Sequence, residues 1–314
     1  MQESQKDTIR NIIIVGNSLT LSSTVIAFIL FWFFKENRSF NFELQMWLTL
    51  SIFLYSVSNL LPYQPDTAWC PVQSFFINAN LTSLTLWSTI LGYSCLIAMV
   101  NKRHLENYKN TYRIIFLIIA FPLPLGLSSI ILFTKIYGDS YGFCWINIVT
   151  EDSIQFIFKM MMMFYLIDWY IIIVNLFFIL KICMLTKKNS KSKNELYSYI
   201  KWYPIVNVIC DVAATVNRIY GLFDGKDLIF VLSIIQAVFD SLQGLVFMII
   251  FLMSPGISQS IVVFCRRLFN KKLDLQSSLF TNDSSNNVSY SSNSNQNNSN
   301  TNQILDDGLI KIEH

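Results

Sequence analysis

Seven long blocks of apolar residues dominate this 314-residue chain and limit what it can fold into. The blocks lack the regular alternation, with a period of 3.6 residues, that marks a half-buried helix of a soluble protein. A helix needs about 20 consecutive apolar residues to cross a hydrocarbon layer of about 30 Å, and the blocks reach or approach that length. They cover residues 12–34, 44–61, 75–100, 114–134, 156–185, 202–223 and 228–253. The sequence therefore predicts an all-α membrane protein, built as a seven-transmembrane-helix bundle.

The composition favours a membrane protein over a soluble one. Hydrophobic residues make up 53% of the chain and charged residues only 14%, against about a quarter charged in ordinary soluble domains. The second block is the shortest and the sixth is the most polar, so these two fit a spanning helix least well. The first block is too long and too aromatic for a cleaved signal peptide, which predicts an uncleaved signal-anchor.

The lysines and arginines beside the blocks indicate the orientation, because cytoplasmic loops carry an excess of these residues. With the N-terminus outside, fifteen of them face the cytoplasm and five face the outside. The cytoplasmic set is Lys35, Arg38, Lys102, Arg103, Lys109, Arg113, Lys187, Lys188, Lys191, Lys193, Lys201, Arg266, Arg267, Lys271 and Lys272. The outer set is Lys6, Arg10, Lys135, Lys159 and Lys226. We therefore predict an extracellular N-terminus, residues 1–11, a transmembrane domain, residues 12–253, and a cytoplasmic C-terminus.

Two of the six cysteines fall in predicted outer segments. Cys70 lies at the outer start of the third block, and Cys144 lies in the longest outer loop, residues 135–155. Both would face an oxidising compartment, where disulfides persist. A bond between them would hold the loop over the third helix and stabilise the fold by about 3–5 kcal/mol. We predict this disulfide; the alternative is two unpaired outer thiols.

Several polar residues lie deep within the predicted spans, where an ionisable group is costly unless it is paired or faces a cavity. Asp211, which lies near the middle of the sixth block, is one of them. Others at comparable depth are predicted to line a ligand cavity open to the outside: Arg218, Asp168, Asp240, Asn78 and Gln236. Such buried polar groups would either line a binding site or pair with one another and hold helices together.

Arg218 admits two interpretations that the sequence leaves open. A guanidinium group forks onto phosphate or carboxylate oxygens, so Arg218 would anchor an anionic ligand. Alternatively, it pairs with Asp168, Asp211 or Asp240 and holds helices together. Both interpretations hold if a ligand competes for Arg218, in which case Arg218 and Asp211 would form an intramembrane switch.

The residue inventory excludes several other functions. The chain has two histidines, His104 in a predicted cytoplasmic loop and His314 at the end, so neither His-ligated zinc nor an intramembrane Ser–His pair is expected. The seventh block has no lysine that could carry retinal. A transporter is the main alternative from another class, although the ten glycines provide few helix breaks. We expect no enzyme activity, no metal, no cofactor and no nucleic-acid partner.

The chain after the seventh block divides into two predicted parts. Residues 254–275 place apolar side chains opposite Arg266, Arg267 and Lys271, which is typical of a short amphipathic helix on the inner leaflet. Cys265 within it is a candidate for lipidation. Residues 276–314 are rich in serine and asparagine and predict a disordered cytoplasmic tail.

One stretch, YIKWYPIVNVICDVAATVNRIYGL at residues 199–222, resembles the sixth span of the slime-mould cyclic AMP receptors and their receptor-like paralogues. Cys144-Trp145-Ile146 is similar to that family's second outer loop. The third block ends in LIAMVNKR without an Asp-Arg-Tyr triplet, and the seventh ends in FLMSP without Asn-Pro-x-x-Tyr, which argues against rhodopsin-type receptors. The resemblance covers about residues 15–265. Asp211 departs from the family's tryptophan and favours a receptor-like paralogue.

This resemblance implies a G-protein-coupled receptor of the plasma membrane. Such a receptor would bind an extracellular small molecule, such as an anionic, cyclic AMP-like compound, and signal to a heterotrimeric G protein on the cytoplasmic side. Roles in cyclic AMP-mediated signalling and chemotaxis would follow from the same family. Arg218 lies within the matching motif and would contact the phosphate of the ligand. The alternative among receptors is a secretin- or adhesion-type receptor for a peptide.

Overall fold

The computed structural model describes residues 3–33, 40–62, 64, 67–133, 137–140, 143–146, 154–188, 199–221, 226–254, 257–258, 261–263 and 266. The side chains of residues 102, 139–140, 143, 146, 154–165, 188, 218–221 and 226–229 lie outside this description. The helices are α1 (Glu3–Phe33), α2 (Phe40–Leu60), α3 (Trp69–Asn107), α4 (Lys109–Ala120), α5 (Pro122–Phe133), α6 (Ile154–Lys188), α7 (Trp202–Gly221) and α8 (Lys226–Met253). The strands are β1 (Tyr137–Ser140) and β2 (Phe143–Ile146). The nearly all-helical architecture predicted from the apolar blocks is confirmed.

Each predicted block is helical, although the boundaries differ. Helix α1 begins at Glu3, because the polar residues before the first apolar block continue the helix. The fourth block is divided into α4 and α5 at Phe121. Pro122 follows this residue, and proline lacks the backbone N–H that would continue the hydrogen-bond ladder.

Five helical segments are long and apolar enough to cross a membrane: Glu3–Phe33, Trp69–Asn101, Lys109–Phe133, Leu166–Lys187 and Phe230–Met253. The two helices that are absent from this set are α2 and α7. They correspond to the shortest and the most polar of the seven blocks. Within the described residues, length and composition therefore support a multi-pass protein and leave α2 and α7 below the criteria for a spanning helix.

Helix α3 changes direction at Asn101, whose backbone angles of φ −150° and ψ 81° are not helical. The Asn101 side-chain oxygen accepts a hydrogen bond from the His104 amide at 3.2 Å. This contact caps the helical turns that follow, as asparagine does at helix starts. The chain then enters α4 directly after Tyr108.

Helix α3 lies at the centre of the bundle, where it contacts α2, α4, α5, α6 and α7. The largest buried cluster includes Leu48, Trp87, Leu91, Tyr203 and Phe247. The rings of Tyr203 on α7 and Phe247 on α8 are 5.4 Å apart between centroids. Because lipid is as apolar as these side chains, their close packing, rather than escape from water, stabilises the bundle.

Helices α1 and α8 approach each other closely through small residues. Gly16 lies against Ser241, and a side chain at Gly244 would overlap the methyl groups of Thr20 and Ile52. The Thr20 hydroxyl donates a 2.6 Å hydrogen bond to the Ser241 carbonyl oxygen across this interface. Small residues and interhelical hydrogen bonds of this kind allow helices to associate in membranes.

An antiparallel hairpin of β1 and β2 follows α5, and its register pairs Tyr137 with Ile146 and Gly138 with Trp145. Cys144 on β2 forms a disulfide with Cys70 at the start of α3, with a Cα–Cα distance of 5.2 Å. The predicted disulfide is therefore confirmed. The Tyr137 hydroxyl donates to the Ser128 carbonyl oxygen at 3.4 Å. Burial raises the pKa of Tyr137 above its ordinary value, so this hydroxyl keeps its proton.

Helix α8 ends at Met253 and is followed by a short turn. The Ser254 amide donates to the Phe251 carbonyl oxygen, and the Ile257 amide donates to the Ser254 carbonyl oxygen at 3.0 Å. Most of the predicted amphipathic helix at 254–275, with Cys265, lies outside the described residues, as does the predicted tail at 276–314.

Candidate functional site

A small cavity lies between α1, α2, α3 and α8, and Trp145 of β2 forms part of its wall. Its apolar wall consists of Ile13, Ile77, Leu81, Trp145 and Ala237, and its polar wall consists of Asn17, Tyr55, Asn59, Ser233, Gln236, Asp240 and Ser241. The volume of about 40 Å³ accommodates a few water molecules, at roughly 10–15 Å³ each. Typical small-molecule sites measure about 300–1,000 Å³, so a larger guest requires the surrounding helices to separate.

Helical spacing explains how each element presents its residues to the cavity. Residues three, four, seven and eight positions apart share one face of a helix. From α8, Ser233, Gln236, Ala237, Asp240 and Ser241 follow this pattern. The three other helices each contribute one pair spaced by four residues: Ile13 with Asn17, Tyr55 with Asn59, and Ile77 with Leu81.

Gln236 connects the cavity to α7. Its side-chain oxygen accepts a 2.7 Å hydrogen bond from Asn217, and its side-chain nitrogen donates to Asp240 at 3.1 Å. Asn217 also donates to the Ser233 hydroxyl at 3.4 Å. A change in the cavity that moves Gln236 therefore acts directly on the α7–α8 interface.

A second polar group lies further along the same interface. Asn207 donates a 2.6 Å hydrogen bond to Asp211 on its own helix and accepts a 3.0 Å bond from Gln243 of α8. Asn207 and Gln243 are buried, and Asp211 is half-buried. Asp168 of α6 and Asp240 of α8 lie within electrostatic range of Asp211, so their negative charges act on this residue.

The structure separates the predicted ligand-site residues into groups. Gln236 and Asp240 line the cavity. Asn78 instead donates hydrogen bonds to the Ser128 hydroxyl at 3.0 Å and the Tyr137 hydroxyl at 3.3 Å, which joins α3 to α5 and β1. Asp168 is half-buried on α6, near Asp211 rather than in the cavity wall.

Three predicted residues remain: Asp211, Arg218 and Cys265. Asp211 is placed beside Asn207, as stated above. The backbone of Arg218 belongs to α7, but its side chain lies outside the described residues, and so does Cys265. Among the residues that the structure describes, no three His, Cys, Asp or Glu residues could hold a metal ion together.

The sequence interpretation missed most of the lining residues, among them Asn17, Tyr55, Asn59 and Trp145. The amides carry no charge, so they did not stand out as ionisable groups do. The spacing of Tyr55 and Asn59 could have indicated them, because the two residues are one helical turn apart near the end of the second block and share a helix face. Trp145 could have been placed near the third helix by its position next to Cys144.

Comparison with known proteins identifies the class of protein to which this chain belongs. Residues 6–247 match the model of the 7 transmembrane receptor (Secretin family). The match covers more than half of the chain, so the chain belongs to this family of seven-transmembrane receptors. It is a multi-pass membrane protein, and the match indicates a receptor rather than an enzyme.

A named relative gives a more specific comparison than the family model. The chain is 21% identical over 268 residues to cyclic AMP receptor-like protein A of Dictyostelium discoideum, and the alignment covers 83% of this chain and 69% of the relative. The resemblance to cyclic AMP receptor-like G-protein-coupled receptors is thereby confirmed. The sequence analysis gave a secretin- or adhesion-type peptide receptor as the alternative, and the matched family model carries the secretin name. This match does not identify a peptide as the ligand.

Proposed function

We propose that this protein is a G-protein-coupled receptor of the plasma membrane that senses an extracellular small molecule. In this proposal the seven spans are α1, α2, α3, the pair α4–α5, α6, α7 and α8. The N-terminus is outside, and a heterotrimeric G protein binds the cytoplasmic ends of the helices. The observation that carries the proposal is a cavity below a disulfide-tethered hairpin, connected through Gln236 to the neighbouring helix.

The proposed orientation rests on two independent features. The excess of lysine and arginine lies at the ends opposite the cavity, where cytoplasmic loops carry positive charge. The Cys70–Cys144 disulfide lies at the cavity end, and disulfides persist in the oxidising extracellular compartment. Both features support the proposal that the cavity lies in the outer half of the bundle.

Signal transfer is proposed to use the polar contacts between α7 and α8. A molecule that enters the cavity changes the position of Gln236 and weakens its bond to Asn217. Helix α7 then shifts relative to α8, and the Asn207–Gln243 contact further along rearranges. A ligand that favours the shifted arrangement raises its population, and the changed inner ends of the helices engage the G protein.

The ligand is proposed to be a small anion, with a cyclic AMP-like compound as the first candidate. The matched relative is named a cyclic AMP receptor-like protein. Arg218 follows Asn217 in α7, and a guanidinium group suits phosphate oxygens. If an anion competes with the carboxylate of Asp168, Asp211 or Asp240 for Arg218, this residue would be part of the switch.

The test is guanine-nucleotide exchange on purified G protein by the receptor in lipid nanodiscs, with a panel of anionic metabolites that includes cyclic AMP. We expect at least one compound to accelerate exchange, and Arg218→Ala to abolish that response while surface expression persists. A response of unchanged potency in Arg218→Ala would remove this residue from the site. Accumulation of a labelled solute by vesicles containing the protein, without any exchange signal, would favour a transporter.

A further inference from the structure

Asn17 of α1 is a buried polar residue in the cavity wall with one unused hydrogen-bonding atom. The side chain is 2% exposed and lines the cavity. Its amide nitrogen donates a 2.9 Å hydrogen bond to the Ile13 carbonyl oxygen. Because a carbonyl oxygen can only accept, this bond fixes which end of the amide is nitrogen. The side-chain oxygen is therefore the atom that remains, and no hydrogen-bond partner for it occurs within the described residues.

A buried acceptor without a partner is costly, and the side-chain oxygens of Gln73, Asn78 and Asn217 share this state within the described residues, so access to the cavity is what distinguishes Asn17. More than about 90% of buried polar groups have a hydrogen-bond partner, and leaving one without a partner costs about 1–3 kcal/mol. The cavity next to Asn17 is the space from which a partner can come. Water would satisfy the oxygen in the empty receptor, and the N–H or O–H group of a guest would satisfy it in the occupied one.

The rest of the wall indicates what else such a guest carries. Ile13, Ile77 and Leu81 form an apolar surface, and the rings of Tyr55 and Trp145 lie beside it. Planar apolar groups pack well against aromatic rings. The wall therefore suits a molecule with a planar apolar part and a hydrogen-bond donor at its edge.

We propose that Asn17 is a ligand-contacting residue whose side-chain oxygen accepts a hydrogen bond from an N–H or O–H group of the bound molecule. The class of ligand is a small molecule that presents this donor beside a planar apolar part. The inference rests on the proposed function in so far as it takes this cavity as the ligand site. It adds a contact from α1, opposite the α7–α8 interface that carries the signal.

Asn175 provides a matched control, because burial without a partner does not by itself make a site. Asn175 on α6 is fully buried, and neither its nitrogen nor its oxygen has a partner in the described part of the chain. It is not among the residues that line the cavity. The two asparagines thus share burial and an unsatisfied amide but differ in access to the cavity.

The first experiment measures access with thiol chemistry. Asn17→Cys and Asn175→Cys are made in a receptor whose Cys95, Cys183, Cys210 and Cys265 are alanine and whose Cys70–Cys144 disulfide is kept. Aminoethyl methanethiosulfonate is added to the receptor in nanodiscs. The cysteine thiolate attacks the reagent's sulfenyl sulfur, forms a mixed disulfide and releases methanesulfinate. We expect Asn17→Cys to react at least tenfold faster than Asn175→Cys, and equal rates would overturn the inference.

The second experiment tests the acceptor itself. Ser233→Cys, in the part of the cavity wall that α8 forms, reacts either with the aminoethyl reagent, which has N–H donors, or with the trimethylammonioethyl reagent, which has none. Replacing Asn17 by leucine should lower the ratio of the two rates by roughly two- to tenfold, the effect of one lost hydrogen bond. Differences in reagent size cancel when this ratio is compared between Asn17 and Asn17→Leu receptors.

Asn80→Leu serves as the control for the ratio, because Asn80 bonds to Ser58 and does not line the cavity. A ratio that stays the same in Asn17→Leu, or falls equally in Asn80→Leu, would overturn the role of the Asn17 oxygen. Should Asn17→Cys fail to fold, Ile13→Cys takes its place in the first experiment, since Ile13 lies on the same face of α1 and lines the cavity.

The exchange assay separates this inference from the proposed function. Ligand-driven exchange by the wild-type receptor, together with an inert Asn17→Cys, would overturn the inference and leave the receptor function standing. Rapid, donor-selective reaction in the cavity without any compound that drives exchange would support the site and contradict the signalling proposal.

Discussion

Replacing Gly244 by alanine tests whether close packing of α8 against α1 and α2 holds the cavity together. The added methyl group would overlap the Thr20 and Ile52 methyl groups. Both neighbours are branched at Cβ, so their side chains have little rotamer freedom with which to move aside. The helices must therefore separate, which also weakens the 2.6 Å bond from Thr20 to the Ser241 carbonyl oxygen.

The magnitude follows from three contributions. Overpacking costs about 1–3 kcal/mol, and the weakened hydrogen bond costs about 0.5–1.5 kcal/mol. Alanine returns up to about 1 kcal/mol through its higher helix propensity. We therefore expect Gly244→Ala to lower the free energy of unfolding by about 0.5–4.5 kcal/mol. Gly126→Ala is the control, because no atom lies within 4 Å of a side chain added at Gly126, so only the gain in propensity remains.

The assay is thermal unfolding of the receptor in nanodiscs, followed with a thiol-reactive dye. Cys95 and Cys210 are buried and react only after unfolding, whereas Cys183 is exposed and sets the starting signal. Gly244→Ala should unfold at a lower temperature than Gly126→Ala. Adding Thr20→Ser and Ile52→Leu, which removes both crowding methyl groups, should restore part of the loss. Unfolding of Gly244→Ala at or above the temperature of Gly126→Ala would refute the packing argument.

Three further outcomes are expected. Cys70→Ala, Cys144→Ala and the double variant should reduce ligand response and thermal stability equally, because each removes the same bond; additive losses would contradict this. The bidentate Glu43–Arg113 pair has both N–O distances at 2.6 Å and side chains 28% and 38% exposed. A double-mutant cycle on thermal stability should give a coupling energy of about 0.5–1 kcal/mol after solvent screening. A coupling energy of zero would show that the ion pair does not stabilise the fold. Gln236→Leu should raise basal nucleotide exchange, because it removes the bond to Asn217, whereas Asn80→Leu should leave it unchanged; equal basal rates in the two variants would count against the α7–α8 mechanism.

The positions of the helices were predictable because a membrane span is determined mainly by the length of an apolar run. The boundaries were less so. Helix α1 begins at Glu3 since polar residues outside the hydrocarbon layer still form helical hydrogen bonds. The break at Phe121 was signalled by Pro122 and Pro124, although the apolar block itself continues through both. Hydropathy records what a residue contacts, and backbone hydrogen bonding decides where the helix ends.

For the candidate site, the sequence predicted how far along each helix a residue lies, but not the face of the helix on which it lies. Gln236 and Asn78 were placed at similar depth, yet Gln236 lines the cavity while Asn78 bonds to Ser128 and Tyr137. Position along a helix follows from counting residues, at about 1.5 Å each. The face that a residue presents to its neighbours depends on how the helix is rotated in the bundle, and α3 turns Asn78 toward α5 and β1. The sequence alone does not show which helices are neighbours, so the rotation of each helix could not be predicted from it.

Helix α8 is held differently on its two sides, which under the proposed function would make the cavity both stable and responsive to a ligand. On one side, Gly244 and Ser241 pack α8 tightly against α1. Close packing permits few alternative arrangements. On the other side, Gln236 and Gln243 join α8 to α7 through amide hydrogen bonds, which can exchange partners with a guest or with water. A guest in the cavity therefore changes the α7 side more easily than the α1 side. Asn17, on the rigid side, would hold the guest in place while α7 moves.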